Sequence, residues 1–160
     1  MEIKSIEIEI PEGGNVILGH SHFIKTVEDL YETVVESGTA LKFGIAFCEA
    51  SGDCLVRSDG NDEQLIKHAE KEAMKIGAGH TFVIFLKSGF PVNVLNRIKS
   101  VSEVCSVYTA TANPLHVIYV DIGESRAILG IADGLSPKGI ENDEDKEKRK
   151  EILRLIGYKR

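Results

Sequence analysis

No apolar run in this 160-residue chain approaches the ~20 residues a helix needs to cross a bilayer. The first residues, Met1-Glu-Ile-Lys-Ser5, also lack the basic and apolar regions of a secretory signal. Both absences point to a cytoplasmic protein without a membrane partner. Positive charge is in deficit: the formal net charge is -6 and the pI about 5.4, which argues against nucleic acid as a partner held through its backbone. Cysteine is scarce, and Cys48, Cys54 and Cys105 form no CxxC or mixed Cys/His spacing. They read as reduced, mostly buried thiols and not as metal ligands. GxGxxG, GxxxxGK[ST], HExxH, DFG and the Ser-His-Asp order are all missing, so no common catalytic signature names a reaction. With no repeat, low-complexity stretch or linker, residues 1–160 read as one domain.

What is present is an ordinary globular composition, 42% apolar and 28% charged. Ile6, Ile8 and Ile10 alternate with glutamates as in a half-buried strand. Pro11-Glu-Gly-Gly14 turns the chain into a short strand over Val16–Leu18, expected to form a hairpin with the first. His20-Ser21-His22 follows as a polar loop; its two histidines have no third ligand nearby and specify no metal. Thr26 opens a helix that stops at Gly38. Leu41–Phe47 and Phe82–Leu86 are continuous apolar runs, the pattern of strands covered on both faces. Between them lies an amphipathic helix capped by Asn61 and Asp62. Pro91 opens a third helix, Val104–Thr109 is a strand, and Leu115–Asp121 pairs with Ala127–Ile131 across Gly123-Glu-Ser. The acidic-to-basic run from Glu141 to Lys150 suits a terminal helix, with Ile152, Leu153 and Ile156 docking it on the body. The sum is an α/β fold: a single-domain mixed β-sheet of about eight strands flanked by about four helices.

Polar residues recur at the strand ends. Gly77-Ala-Gly-His80 joins a helix to a strand and offers backbone amides beside an imidazole, a candidate anion site. Glu49 and Ser51 end a buried strand, and Arg57 can clamp a phosphate or pair with Glu49. Asn93 and Asn96 have side-chain amides able to read a base or ribose, or are surface asparagines. Asn113 lies in a tight Asn-Pro turn with room for a flat ligand. Asp133 and Lys138 share a glycine-rich loop that can bind phosphate or only solvate a turn. No motif demands a cofactor; Asp and Glu beside a phosphate are what Mg²⁺ takes, and their spacing here does not require it. A lone histidine in such a setting is as readily structural as catalytic.

Several ordered motifs bear on that choice. Phe43-Gly-Ile-Ala-Phe-Cys-Glu-Ala-Ser-Gly52, Gly77-Ala-Gly-His80, Pro91-Val-Asn-Val-Leu-Asn96, Ala110-Thr-Ala-Asn-Pro114, Asp133-Gly-Leu-Ser-Pro-Lys-Gly139 and Leu155-Ile-Gly-Tyr-Lys159 span nearly the whole chain. Together they resemble the adenosine-specific kinase family. The resemblance implies a small α/β protein that binds adenosine and AMP, carries a phosphoryl group on a histidine, and assembles as a homotrimer or a multiple of one. His80 is the histidine within a matching motif. Its neutral imidazole can attack phosphorus to give a phosphoramidate, with Arg57 or Lys138 offsetting charge and Glu49 or Asp133 orienting the ring or accepting a ribose hydroxyl proton. The alternatives are a non-catalytic AMP or adenosine sensor and a structural oligomer.

Overall fold

A computed structural model describes every residue from Met1 to Arg160. In chain order the strands are β1 (Lys4–Ile8), β2 (Asn15–Ser21), β3 (Lys42–Cys48), β4 (Val56–Gly60), β5 (Thr81–Lys87), β6 (Val104–Thr111), β7 (Leu115–Ile122) and β8 (Ser125–Asp133). The helices are α1 (Thr26–Val35), α2 (Glu63–Ile76), α3 (Leu95–Lys99) and α4 (Asp143–Leu155). The α/β class, the eight strands and the four helices match the sequence reading. The strands divide into a five-stranded sheet, order β4-β3-β5-β2-β6, and a three-stranded sheet, order β1-β7-β8. Every pairing is antiparallel.

The central strands are the three buried along almost their whole length, β2, β3 and β5. Their alternate side chains supply two cores. Val16, Leu18, Ala46, Val83 and Phe85 face α2 and the three-stranded sheet. Ile17, Phe43, Ile45, Phe47, Phe82 and Ile84 face α1 and α3. A strand covered on both sides needs no polar face, which is why these segments are apolar runs and not alternating patterns.

The expected β1–β2 hairpin does not form. β1 pairs with β7, whereas β2 lies between β5 and β6. The burial explains it: β1 hides only one face and suits an edge, while β2 hides both and needs a strand on each side. The Pro11–Gly14 turn, closed by the Gly14 amide on the Pro11 carbonyl, carries the chain from one sheet to the other. Because β2 extends to Ser21, His20 and Ser21 lie in a strand and not in the loop expected of them.

Two helix boundaries also come out differently. Asp62 caps α2 by accepting the Leu65 amide, but Asn61 bridges strands instead, accepting the Phe43 amide and donating to the Leu41 carbonyl. The helix expected at Pro91 is a 3-10 turn, Pro91–Asn93, followed by the one-turn α3. Of the thiols only Cys48 is buried; Cys54 and Cys105 are exposed. The terminal helix forms with the expected polarity of charge, yet α4 buries none of its residues. Of the three residues expected to dock it, Ile152 and Ile156 are exposed and Leu153 is half-buried. No helix is long and apolar enough to cross a membrane.

Helix α2 lies so close to the sheet that Gly44 is required. A Cβ there would run into the Leu65 carbonyl and the Ile66 amide of the helix backbone, and backbone cannot rotate aside as a side chain can. Replacing Gly44 with Ala is expected to cost about 3 kcal/mol in guanidinium unfolding, the upper part of the usual overpacking range. An unchanged unfolding midpoint would mean that α2 is not seated on Gly44.

Candidate functional site

Helix α2 ends at Gly77, in the left-handed conformation with its amide on the Ala73 carbonyl. Three residues later His80 takes a positive φ of 64°. Histidine pays about 1–2 kcal/mol for this region, so surrounding structure must hold it there. Two backbone hydrogen bonds do so: the His80 amide donates to the Cys48 carbonyl at 2.7 Å, and the His80 carbonyl accepts from the Ser21 amide at 3.0 Å. They tie the start of β5 to the ends of β3 and β2.

The half-buried His80 ring lies over Phe47, with centroids 5.9 Å apart and planes within 18°. The His20 ring meets it edge-on at 6.0 Å. On the neighbouring strand Arg57 is directly opposite Phe47, and paired residues project to the same face. Arg57 thus leaves β4 on the face of the sheet that carries Phe47 and the His80 ring. Arg57 donates through Nη2 to Glu49 at 3.1 Å, while its buried Nε has no partner. The Leu55 amide, with burial opposing it and Arg57 assisting, holds the Glu49 carboxyl below its ordinary value. Glu49 is therefore an anchored anion and a weak base.

The anion-site reading of Gly77–His80 narrows to the amides of Ala78 and Gly79, which have no carbonyl partner. The amides of Gly77, His80 and Thr81 are already committed to the carbonyls of Ala73, Cys48 and Ala78. The junction is also the C-terminal, electronegative end of α2, which attracts cations. Arg126 occupies that end, donating to the Lys75 and Ile76 carbonyls at 3.2 and 2.8 Å. Gly77 and Gly79 line a cleft of about 450 Å³ together with Glu49, Leu55, Met74 and Arg126. This cleft opens on the α2 side of the sheet, whereas the His80 ring covers Phe47 on the α1 side. Glu49 and Gly79 stand on the rim between the two.

The other residues singled out from the sequence do not converge here. Ser51 is exposed on the loop between β3 and β4, in the same end of the molecule. Asn113 and Asp133 come together, but at the far end of the sheet: Asp133 accepts from Thr109, Thr111 and Asn113 at 2.6, 2.8 and 3.3 Å. Thr111 pairs with Val16, whereas His80 holds Ser21; at ~3.3 Å per residue that separation is roughly 15 Å along β2. Burial raises the Asp133 pKa, but the three hydrogen bonds outweigh it and hold the carboxyl below its ordinary value, so it too is a poor proton acceptor. Asn93 accepts the Phe90 amide as a local cap. Asn96 is exposed on α3, and Lys138 is exposed beyond β8. No three His, Cys, Asp or Glu side chains gather as a metal's ligand set. The residue missed was His20, whose ring lies edge-on to His80. Strand β2 has register irregularities at Leu18/Gly19 and His20/Ser21, and period-2 spacing from Leu18 would have put His20 on the α2 side, so the sequence carried no signal for the contact.

The family model described as adenosine specific kinase matches residues 6–159. The chain belongs to the adenosine-specific kinase family. Its fold is shared with the crystal structure of the PH1918 protein from Pyrococcus horikoshii OT3, at 45% identity and a TM-score of 0.94, covering 99% of this chain and 98% of that one. A search of curated proteins finds no match. Membership supports an adenosine-related kinase function and places the His80 motif in a kinase family; the chemistry at the ring is a separate question.

Burial, and then the neighbouring His80, lower the His20 pKa from its ordinary value of 6.5. Folding thus favours neutral His20: its contribution to stability is intact above pH 6.5 and declines as the pH falls below it. A proton NMR titration is expected to give a His20 midpoint below 6.5, moving part of the way back in His80→Ala because burial remains. A midpoint at or above 6.5 in the wild type would contradict the histidine pair.

Proposed function

We propose that this protein is a phosphotransferase acting on adenosine or AMP, with the phosphoryl group carried on His80. The observation behind this reading is what shares one face of the sheet: an imidazole clamped in a left-handed backbone over Phe47, and opposite Phe47 in the strand register an arginine whose buried Nε–H lacks an acceptor. A phosphoryl oxygen is the acceptor that such a donor fits. A ring nitrogen of neutral His80 attacks phosphorus, and the donor's leaving oxygen departs with the bonding pair. A ribose hydroxyl of adenosine then attacks the same phosphorus, the P–N bond breaks, and the imidazole recovers its lone pair. Arg57 balances charge on the phosphoryl oxygens.

The hydroxyl proton needs a base, and the two carboxylates first considered are poorly suited to it. Glu49 is anchored to Leu55 and Arg57, and Asp133 is bound by three donors at the far end of the sheet. His20 is neutral and adjacent to His80, so it takes that role here. The family resemblance also carries self-association, as a homotrimer or a multiple of one; the apolar side chains exposed along α4 support it.

Incubation with labelled phosphoryl donors and adenosine tests the reading. The wild type is expected to form an acid-labile protein phosphoramidate and AMP; His80→Ala forms neither. His20→Gln is expected to keep the phosphoramidate but slow its transfer to adenosine by 10²-fold or more, the usual share of a general base. Equal turnover by wild type and His80→Ala sinks the mechanism. Calorimetric binding of AMP with no product from any donor would make the protein a sensor.

A further inference from the structure

We propose that Gly134–Arg160 is an arm which seats the apolar face of α4 on a second copy of this chain. The chain leaves β8 through Gly134, whose amide is pinned to the Pro114 carbonyl and whose φ is +67°. Beyond this bend Leu135 is 84% exposed, Ile140 99% and Leu155 87%. Ile152, Leu155 and Ile156 follow the i, i+3, i+4 spacing, so they form one stripe, and nothing in their own subunit covers it.

The helix is nonetheless well specified at its start. Asn142 and Asp145 form a reciprocal capping box, and Arg149 holds Glu141 through two hydrogen bonds. Caps and exposed pairs of this kind contribute only a few tenths to about 1 kcal/mol each, and a helix of this length is marginal alone in water. The covering surface must therefore come from outside the subunit.

Two observations make that surface another copy. The overlay on the PH1918 crystal structure spans 99% of the chain at a TM-score of 0.94. The stretch after Asp133 is too large a share of the chain to be displaced in such a fit, so the arm stands off the body in the same place in both proteins. A free arm would have no reason to keep one position. Charge then selects the surface: Gly134–Arg160 holds eight of the 19 Lys and Arg but only six of the 25 Asp and Glu. The body is thus more acidic than the whole chain, and the basic arm of one copy is attracted to the body of the next.

The arm gives the self-association read above its contact, and it does not depend on the chemistry assigned to His80. Sedimentation of the full-length protein tests it. The wild type is expected to sediment as an oligomer, and the double variant Ile152→Glu, Ile156→Glu as a monomer with unchanged circular dichroism outside the arm. A monomeric wild type overturns the arm and the oligomer together; an oligomer that the double variant leaves intact overturns the arm alone. Hydrogen exchange on the wild type decides independently of any variant. The α4 amides are expected to be protected at least tenfold in the oligomer and to lose that protection on dilution to monomer. Exchange from the oligomer as fast as from a free helix overturns the proposal.

Discussion

The two hydrogen bonds on the backbone of His80 hold together the part of the molecule on which everything else depends. One draws the end of β3 and the other the end of β2 onto the start of β5. Each net backbone bond is worth only about 1 kcal/mol, yet here a pair of them sustains a conformation that histidine would otherwise avoid. Their joint effect is directional. They fix where the imidazole leaves the chain, and Phe47, buried in the α1-side core, gives the ring a flat support it cannot sink into. The site is thus built on strand ends of the central sheet, and the neighbouring loop from Glu49 to Leu55 is closed on itself by reciprocal hydrogen bonds.

That placement sorts the charged groups by what remains free to react. Asp133 has three donors on its carboxylate, and Glu49 has an amide and a guanidinium. Both are depressed in pKa and both are spoken for. Arg57 is different: its outer nitrogen is bound to Glu49 but its Nε–H is buried without an acceptor, a condition that typically costs 1–3 kcal/mol. A group left in that state is a place where a ligand gains more than the protein alone can. The histidine pair works in the same direction. Two imidazoles about 6 Å apart disfavour a second proton between them, which keeps His20 available as a base.

Much of the fold was legible in the sequence because the signals were local. Asp62 three residues before Leu65 spells a cap, the run from Phe82 to Leu86 spells a covered strand, and Gly123-Glu-Ser spells the β7–β8 hairpin. The partners of β1 and β2 were not legible, because pairing between segments as distant as Lys4 and Tyr119, or His20 and Thr81, leaves no mark on spacing. The same limit applied to the polar residues. Asn113, Asp133, Glu49 and His80 all sit at strand ends, but antiparallel strands have two ends, and period alone does not say which residues share one. His20 was lost because the strand was ended at Leu18; Gly19 continues it, and a Cβ there would strike the Phe82 ring. The stripe on α4 was read correctly as apolar and wrongly as docked on its own body, since a sequence pattern says that a face is to be covered and not by whom.

The position of His80 depends finally on how the two sheets are joined. Arg126, at the start of β8, reaches the last carbonyls of α2, holds Asp121 at 2.9 Å, and lies 4.0 Å above the Tyr119 ring. One half-buried guanidinium therefore locks the three-stranded sheet to the helix whose cap begins the turn to His80. The turn has little slack, because a Cβ on Gly79 would already press on Ala50. Arg126 therefore ties β8 to the end of α2, and the clamped histidine follows three residues after the Gly77 cap.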